Sequence, residues 1–282
     1  MTHKCMSIKS IRESKWLTIE QKNIATRELN DKLRLEKMLD AQLRPIMNRM
    51  NRDFKRKYAA TGSIIDFDIY RGDIAATLRK HYDRVQKTFK TSTKQVTNQE
   101  LADLGLAEWQ ADKLVTQPEF IINTTQKDAN KSVREAMNSM LGDGVALTAL
   151  GVASVASVFN RRKLFGRLTG ITITETQTAA ESTKLIEAQA LSGRTPYTVR
   201  NDPFALTRPR EEDVKDGSKQ WITVGDRNVR ASHTSADRQT VDIDAPFEVG
   251  GYKMRHPADT SLGAPVKEWV NCRCASNIKI DF

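Results

Sequence analysis

The chain has 282 residues, three cysteines, 6% aromatic residues and a formal net charge of +10. That length allows about two domains, and the excess of Lys and Arg favours a polyanionic partner such as nucleic acid. The low aromatic content excludes a broad base-stacking platform. The odd cysteine count and the absence of an apolar run in Met1–Ser7 argue against a secreted disulfide framework, so a cytoplasmic product is the expectation.

The N-terminal half reads as helical. Leu29, Leu33, Leu39, Leu43, Ile46, Met47, Met50, Phe54 and Tyr58 recur mostly at steps of three or four, which gathers them on one helical face. Such a stripe suits docking into a partner's groove, and Leu39, Leu43 and Met47 are its centre. Pro45 removes a backbone donor, which predicts a kink or break near Leu43–Arg44. Gly62 is placed to end the run. Asp73 is a candidate cap for a helix through about Lys90, with Ile74, Leu78, Tyr82, Val85 and Phe89 inward. Thr97-Asn-Gln-Glu100 reads as a capping box. Pro118 and Asn123-Thr-Thr125 predict an interruption before a further helix over 128–140.

Gly142-Asp-Gly144 punctuates the chain ahead of a small-residue run, 145–159. That run is shorter than the ~18–20 apolar residues of a membrane span, so a buried helix is expected and no stable membrane span. Thr172-Ile-Thr-Glu175 reads as a second capping box, opening a helix to about Leu191, with Glu175 bonded back to the cap. Residues 197–218 are polar and proline-containing, as in a loop or linker. Short β-prone pieces follow at 220–224, 240–243, 247–249 and 277–280. The expected fold class is α+β: a helical region over 1–160, then a small α+β module over 161–282.

Cys272 and Cys274 lie two apart, downstream of His233. Imidazole and thiolate are zinc donors, with His256, Asp237 or Asp259 available as a fourth. The alternatives are a metal-free packed closure, with cysteine as a small buried hydrophobe, and a redox-sensitive pair. Asp226 and Asp237 read as turn residues, Arg230 as a partner for Asp226 or Glu175, and Trp221 and Trp269 as core anchors. No nucleophile-and-base spacing is recognisable, so no enzyme is expected. Arg49, Arg52, Lys55 and Arg56, and then Arg161, Arg162, Lys163 and Arg167, are the candidate DNA contacts. Their affinity would be salt-dependent and indifferent to sequence.

Thr174-Glu175, Trp221, Asp226, Val229-Arg230, His233, Asp237, Phe247, Pro257, Pro265 and Asn271-Cys-Arg-Cys274 occur in an order that resembles the phage head morphogenesis family (Mu protein F-like minor head proteins). The match covers roughly 160–280. Two departures stand out. Arg238 follows Asp237 where the family usually has glycine, and His256-Pro257 lies well upstream of Asn271. The resemblance implies a minor capsid protein of a tailed double-stranded DNA phage. Its implied partners are the portal, the major capsid or scaffolding protein, and packaged DNA. Its implied place is the capsid interior near the portal vertex, after assembly in the host cytoplasm. The alternatives are a metal-dependent nuclease or transferase using His233 and nearby carboxylates, and a DNA-binding ejection protein.

Overall fold

The computed structural model describes residues 8–14, 17–90, 96–142, 161–199, 214–223 and 229–281. The helices are α1 (Ile8–Glu13), α2 (Ile19–Thr61), α3 (Arg71–Phe89), α4 (Val96–Gly142) and α5 (Arg161–Leu191), followed in the C-terminal region by the short α6 (Ala231–Ala236) and α7 (Val266–Trp269). The strands are β1 (Gly217–Ile222), β2 (Thr240–Asp242), β3 (Phe247–Val249), β4 (Tyr252–Met254) and β5 (Ala275–Ile280). The fold is therefore α+β, mainly helical, with its small antiparallel sheets in the C-terminal region. The 145–159 run lies outside the described residues. No helix among the described residues is long and apolar enough to cross a membrane.

Several expected helix boundaries are absent. Pro45 sits inside α2 and Pro118 inside α4, and both helices continue through them. A proline deletes one backbone donor, and the many remaining hydrogen bonds of helices 43 and 47 residues long carry the ladder across it. At the expected interruption over 123–125, Thr124 and Thr125 bond back to the carbonyls of Phe120 and Ile121 and stay helical. Gly62 does end α2, at φ +65°, with its N–H on the Tyr58 carbonyl. Asp73 is not a cap. Asp66 caps a 3-10 turn, Phe67–Tyr70, that leads directly into α3.

The chain forms two compact units, each drawing on residues before and after 160: 1–37, 81–111 and 172–282 in the first, 38–80 and 112–171 in the second. In the second unit Leu39, Leu43, Met47, Met50, Phe54 and Tyr58 of α2 are buried. Phe54 stacks on Tyr58 and tilts against Phe67. The α2 stripe expected to dock on a partner is thus consumed by the protein's own core, because Phe67, Ile74, Leu78, Ile121 and Ile122 are also buried in this unit.

In the first unit β1 is the centre of a three-stranded antiparallel sheet, ordered β2-β1-β5. Gly217 pairs with Ile280 and Ile222 with Ala275, while Ser218 pairs with Asp242. β3 and β4 form a hairpin closed by Gly250 and Gly251 at φ +59° and +82°. That geometry is open to glycine and costly for most other residues.

The Thr172–Leu191 part of α5 belongs to this unit and does not begin at a capping box, since Thr172 lies inside the helix. It is buried almost all round while carrying many polar side chains, Thr174, Glu175, Thr176, Gln177, Glu181 and Ser182 among them. Burial of that kind requires hydrogen-bond partners. Glu175 accepts from Tyr82 Oη at 2.7 Å, Thr176 meets His81 Nε2 at 3.0 Å, Thr178 donates to the Ala258 carbonyl, and Ser182 meets His256 Nε2 at 2.9 Å. Burial, reinforced by the Arg84 charge, pulls His81 down to about 3, so its ring is neutral.

Candidate metal centre

The closing segment Asn271–Ser276 is held at Asn271, Cys274 and Ser276 against one face of α5. The Asn271 N–H donates to Thr174 Oγ1 at 3.1 Å. Gln177 donates to the Cys274 carbonyl. Glu181 Oε2 accepts the Ser276 N–H at 3.0 Å and its hydroxyl at 2.5 Å. Lys184 donates to the Ser276 carbonyl at 3.1 Å. Positions 174, 177, 181 and 184 are spaced by three or four, so they form one polar stripe along the helix. Asn271 itself takes φ +57°, a left-handed conformation that Asn tolerates better than most residues.

Cys272 and Cys274 point one way and Arg273 the other. Arg273 makes a two-pronged ion pair with Glu36, at 2.8 and 2.7 Å, with both side chains largely buried. Burial pushes the Glu36 carboxyl above its ordinary value, against the pull of Arg273. The two thiols converge on His233, and all three residues are at most 1% exposed. Nδ1 of His233 lies 3.3 Å from Cys274 Sγ and 3.7 Å from Cys272 Sγ. The cysteines are not joined as a disulfide. Burial pushes the Cys272 thiol up, but hydrogen bonding with Cys274 and His233 outweighs it and holds the thiol well below its ordinary value.

His233 stands on α6, with its ring packed edge-on against Trp221 at 5.4 Å, and Trp221 packs in the same manner on Phe247. Its Nε2 is 3.4 Å from Glu268 Oε2, which accepts the Ser232 hydroxyl at 2.7 Å. Arg230 donates to the Val270 carbonyl, which fixes the start of α6 beside the closing segment. Asp237 accepts the Thr223 N–H at 2.7 Å, and the adjacent Arg238 takes φ +64° while donating its N–H to the Trp221 carbonyl. Trp221 is fully buried and Trp269 nearly so.

The expected residues are therefore partly assembled. His233, Cys272 and Cys274 come together with all donor atoms within 4.8 Å of one another. The three suggested fourth ligands are committed elsewhere. His256 contacts Ser182, Tyr197 and the Pro257 carbonyl; Asp259 accepts the N–H groups of Arg255 and Ser261; Asp237 binds Thr223. Glu175 bonds to Tyr82 and Arg230 to Val270, so the expected Arg230–Glu175 pairing is replaced by these contacts. Asp226 lies outside the described residues. Glu268 and Ser232 were not legible as site residues. The only sequence cue is that each adjoins a motif position, Trp269 and His233.

The candidate DNA contacts do not share one environment. Arg49, Arg56 and Arg167 are paired with Asp73, Asp53 and Asp128. Arg52 is exposed and Lys55 partly so, and neither makes an ion pair among the described residues. Arg161, Arg162 and Lys163 open α5, and their side chains lie outside the description.

No family model matches the chain. It is 26% identical over 109 residues, 39% of its length, to the NAD(+)--arginine ADP-ribosyltransferase EFV of Enterococcus faecalis, covering 21% of that protein. It is 30% identical over 89 residues, 31% of its length, to inositol polyphosphate multikinase beta of Arabidopsis thaliana, covering 30% of that protein. The chain thus spans less than a third of either curated relative. No solved structure matches.

Proposed function

We propose that this chain is a minor head protein of a tailed double-stranded DNA phage, which associates with the portal and inner capsid during assembly and contacts packaged DNA without reading its sequence. The observation that supports this reading is the interlocking of the motif. Thr174, Trp221, Arg230, His233, Phe247 and Asn271–Cys274 are spread over about a hundred positions, yet they are joined by the contacts of one compact unit. In this reading they are architecture: a rigid assembly module whose buried imidazole and thiols hold it shut. The net charge of +10 suits a position facing DNA, and exposed Arg52 with neighbouring Lys55 is the best-placed phosphate contact on α2.

Co-expression with a tagged portal protein tests the partner. The chain co-elutes with the portal if the reading is right, and free elution of a folded chain rejects it. Binding to random duplex DNA tests the second contact. Affinity falls steeply with salt and is the same for unrelated sequences, and Arg52→Ala with Lys55→Ala flattens the salt slope by up to ~2. Binding that is absent at low salt overturns the DNA contact.

A further inference from the structure

We propose that His233, Cys272 and Cys274 bind a zinc ion, through Nδ1 and the two Sγ atoms, with a solvent oxygen as fourth donor, and that Glu268 is the carboxylate that orients the histidine. The proposal does not depend on the head-protein reading. Tetrahedral zinc, with bonds of about 2.0–2.1 Å to nitrogen and 2.3 Å to sulfur, places those donors about 3.6 Å apart. The structure has them at 3.3 and 3.7 Å, the spacing of two edges of such a tetrahedron.

Charge favours the same assignment. Two thiolates and a neutral imidazole around a divalent ion give a complex of zero net charge, which is the form that full burial tolerates. The second side of the imidazole is also prepared. A metal on Nδ1 forces the ring proton onto Nε2, which is buried and otherwise without a hydrogen-bond partner. Glu268 Oε2 faces it at 3.4 Å and is itself fixed by Ser232. A carboxylate behind a ligating histidine raises its basicity and sets its tautomer. An edge-on Trp221 and a fully buried position hold the ring still.

The test is metal analysis of the purified full-length chain, with cobalt substitution. About one equivalent of zinc and, with cobalt, thiolate charge-transfer absorption with tetrahedral-type visible bands are expected. Glu268→Gln keeps the cobalt spectrum but weakens zinc about 10–100-fold in competition with a chromophoric chelator. Cys272→Ser with Cys274→Ser abolishes the charge-transfer band. Should that double variant not fold, the wild-type protein still decides the matter. No bound zinc, no cobalt–thiolate band and a Tm unmoved by chelator and by added zinc would together establish a metal-free packed closure and overturn the proposal.

Discussion

Replacing Glu181 by glutamine removes the charge at the centre of the first unit. Its fully buried carboxylate accepts Lys32 Nζ at 2.6 Å and Lys184 Nζ at 3.0 Å on one oxygen, and the Ser276 N–H and hydroxyl on the other. Glutamine offers one acceptor oxygen, so either the two ammonium groups or Ser276 loses its partner. Removing one member of a buried ion pair costs about 3–5 kcal/mol. Glu28, 3.1 Å from Lys184 and 4.0 Å from Lys32, offsets part of this, which places the expected loss near 3 kcal/mol. The effect of acid should run in the same direction. Burial raises the Glu181 pKa, but Lys184, Lys32 and Ser276 outweigh it and bring it from 4.5 to about 2. That difference corresponds to about 3 kcal/mol of stability, present above pH 4.5 and lost as pH falls through 2. Trp109, Trp221 and Trp269 lie in the first unit, so fluorescence during urea unfolding reports on it. At pH 7 Glu181→Gln should lower stability by about 3 kcal/mol, and the gap to wild type should close between pH 5 and 2. Neutral His81 adds an acid-labile contribution from about pH 6.5 downward, but it is common to both proteins and cancels in the difference. A loss below about 1 kcal/mol, or a gap that persists in acid, would refute the reasoning.

Arg273→Met strands the buried Glu36 carboxylate and should cost about 3–5 kcal/mol by urea unfolding, whereas adding Glu36→Leu should recover most of it. Arg238→Gly should raise stability by up to about 1 kcal/mol, since φ +64° suits glycine and strains arginine; an unchanged or lowered urea midpoint would count against that strain. Gly250→Ala should cost about 2 kcal/mol, because its φ is +59° and a Cβ there would lie 2.9 Å from Ser232 Cβ and 3.3 Å from Glu268 Oε1. A Tm within a degree of wild type would show that the hairpin shifts to accept it.

The sequence carried the helical periodicity of 29–58, the stop at Gly62 and the strand at 247–249, because apolar spacing and turn chemistry are local signals. It misdirected at Pro45 and Pro118, where the remaining hydrogen bonds of a long helix carry it over the missing one. Thr172-x-x-Glu175 imitates a capping box, yet both residues lie mid-helix and Glu175 is held by Tyr82, which is remote in sequence. The two-glycine turn at 250–251 is a hairpin signal and could have revealed β4. Lys219 had no such signal. It occupies an inward position of β1, over the Phe247 ring at 5.4 Å, and burial with the nearby Arg255 charge lowers its amine to about 8. The Cys-x-Cys pair and His233 were visible as scarce residues near one another in sequence. Their partners Glu268 and Ser232, and the clamp of 174, 177, 181 and 184 on the closing segment, depend on a chain reversal that no local pattern encodes.

The proposed head-assembly role is tested most directly by quantitative mass spectrometry of tailed-phage heads purified from a lysate that contains this chain. The account predicts the intact chain in assembled heads at a few copies per particle, retained through density-gradient purification. Heads that carry the portal and capsid proteins but lack this chain, while the lysate contains it, would contradict the account.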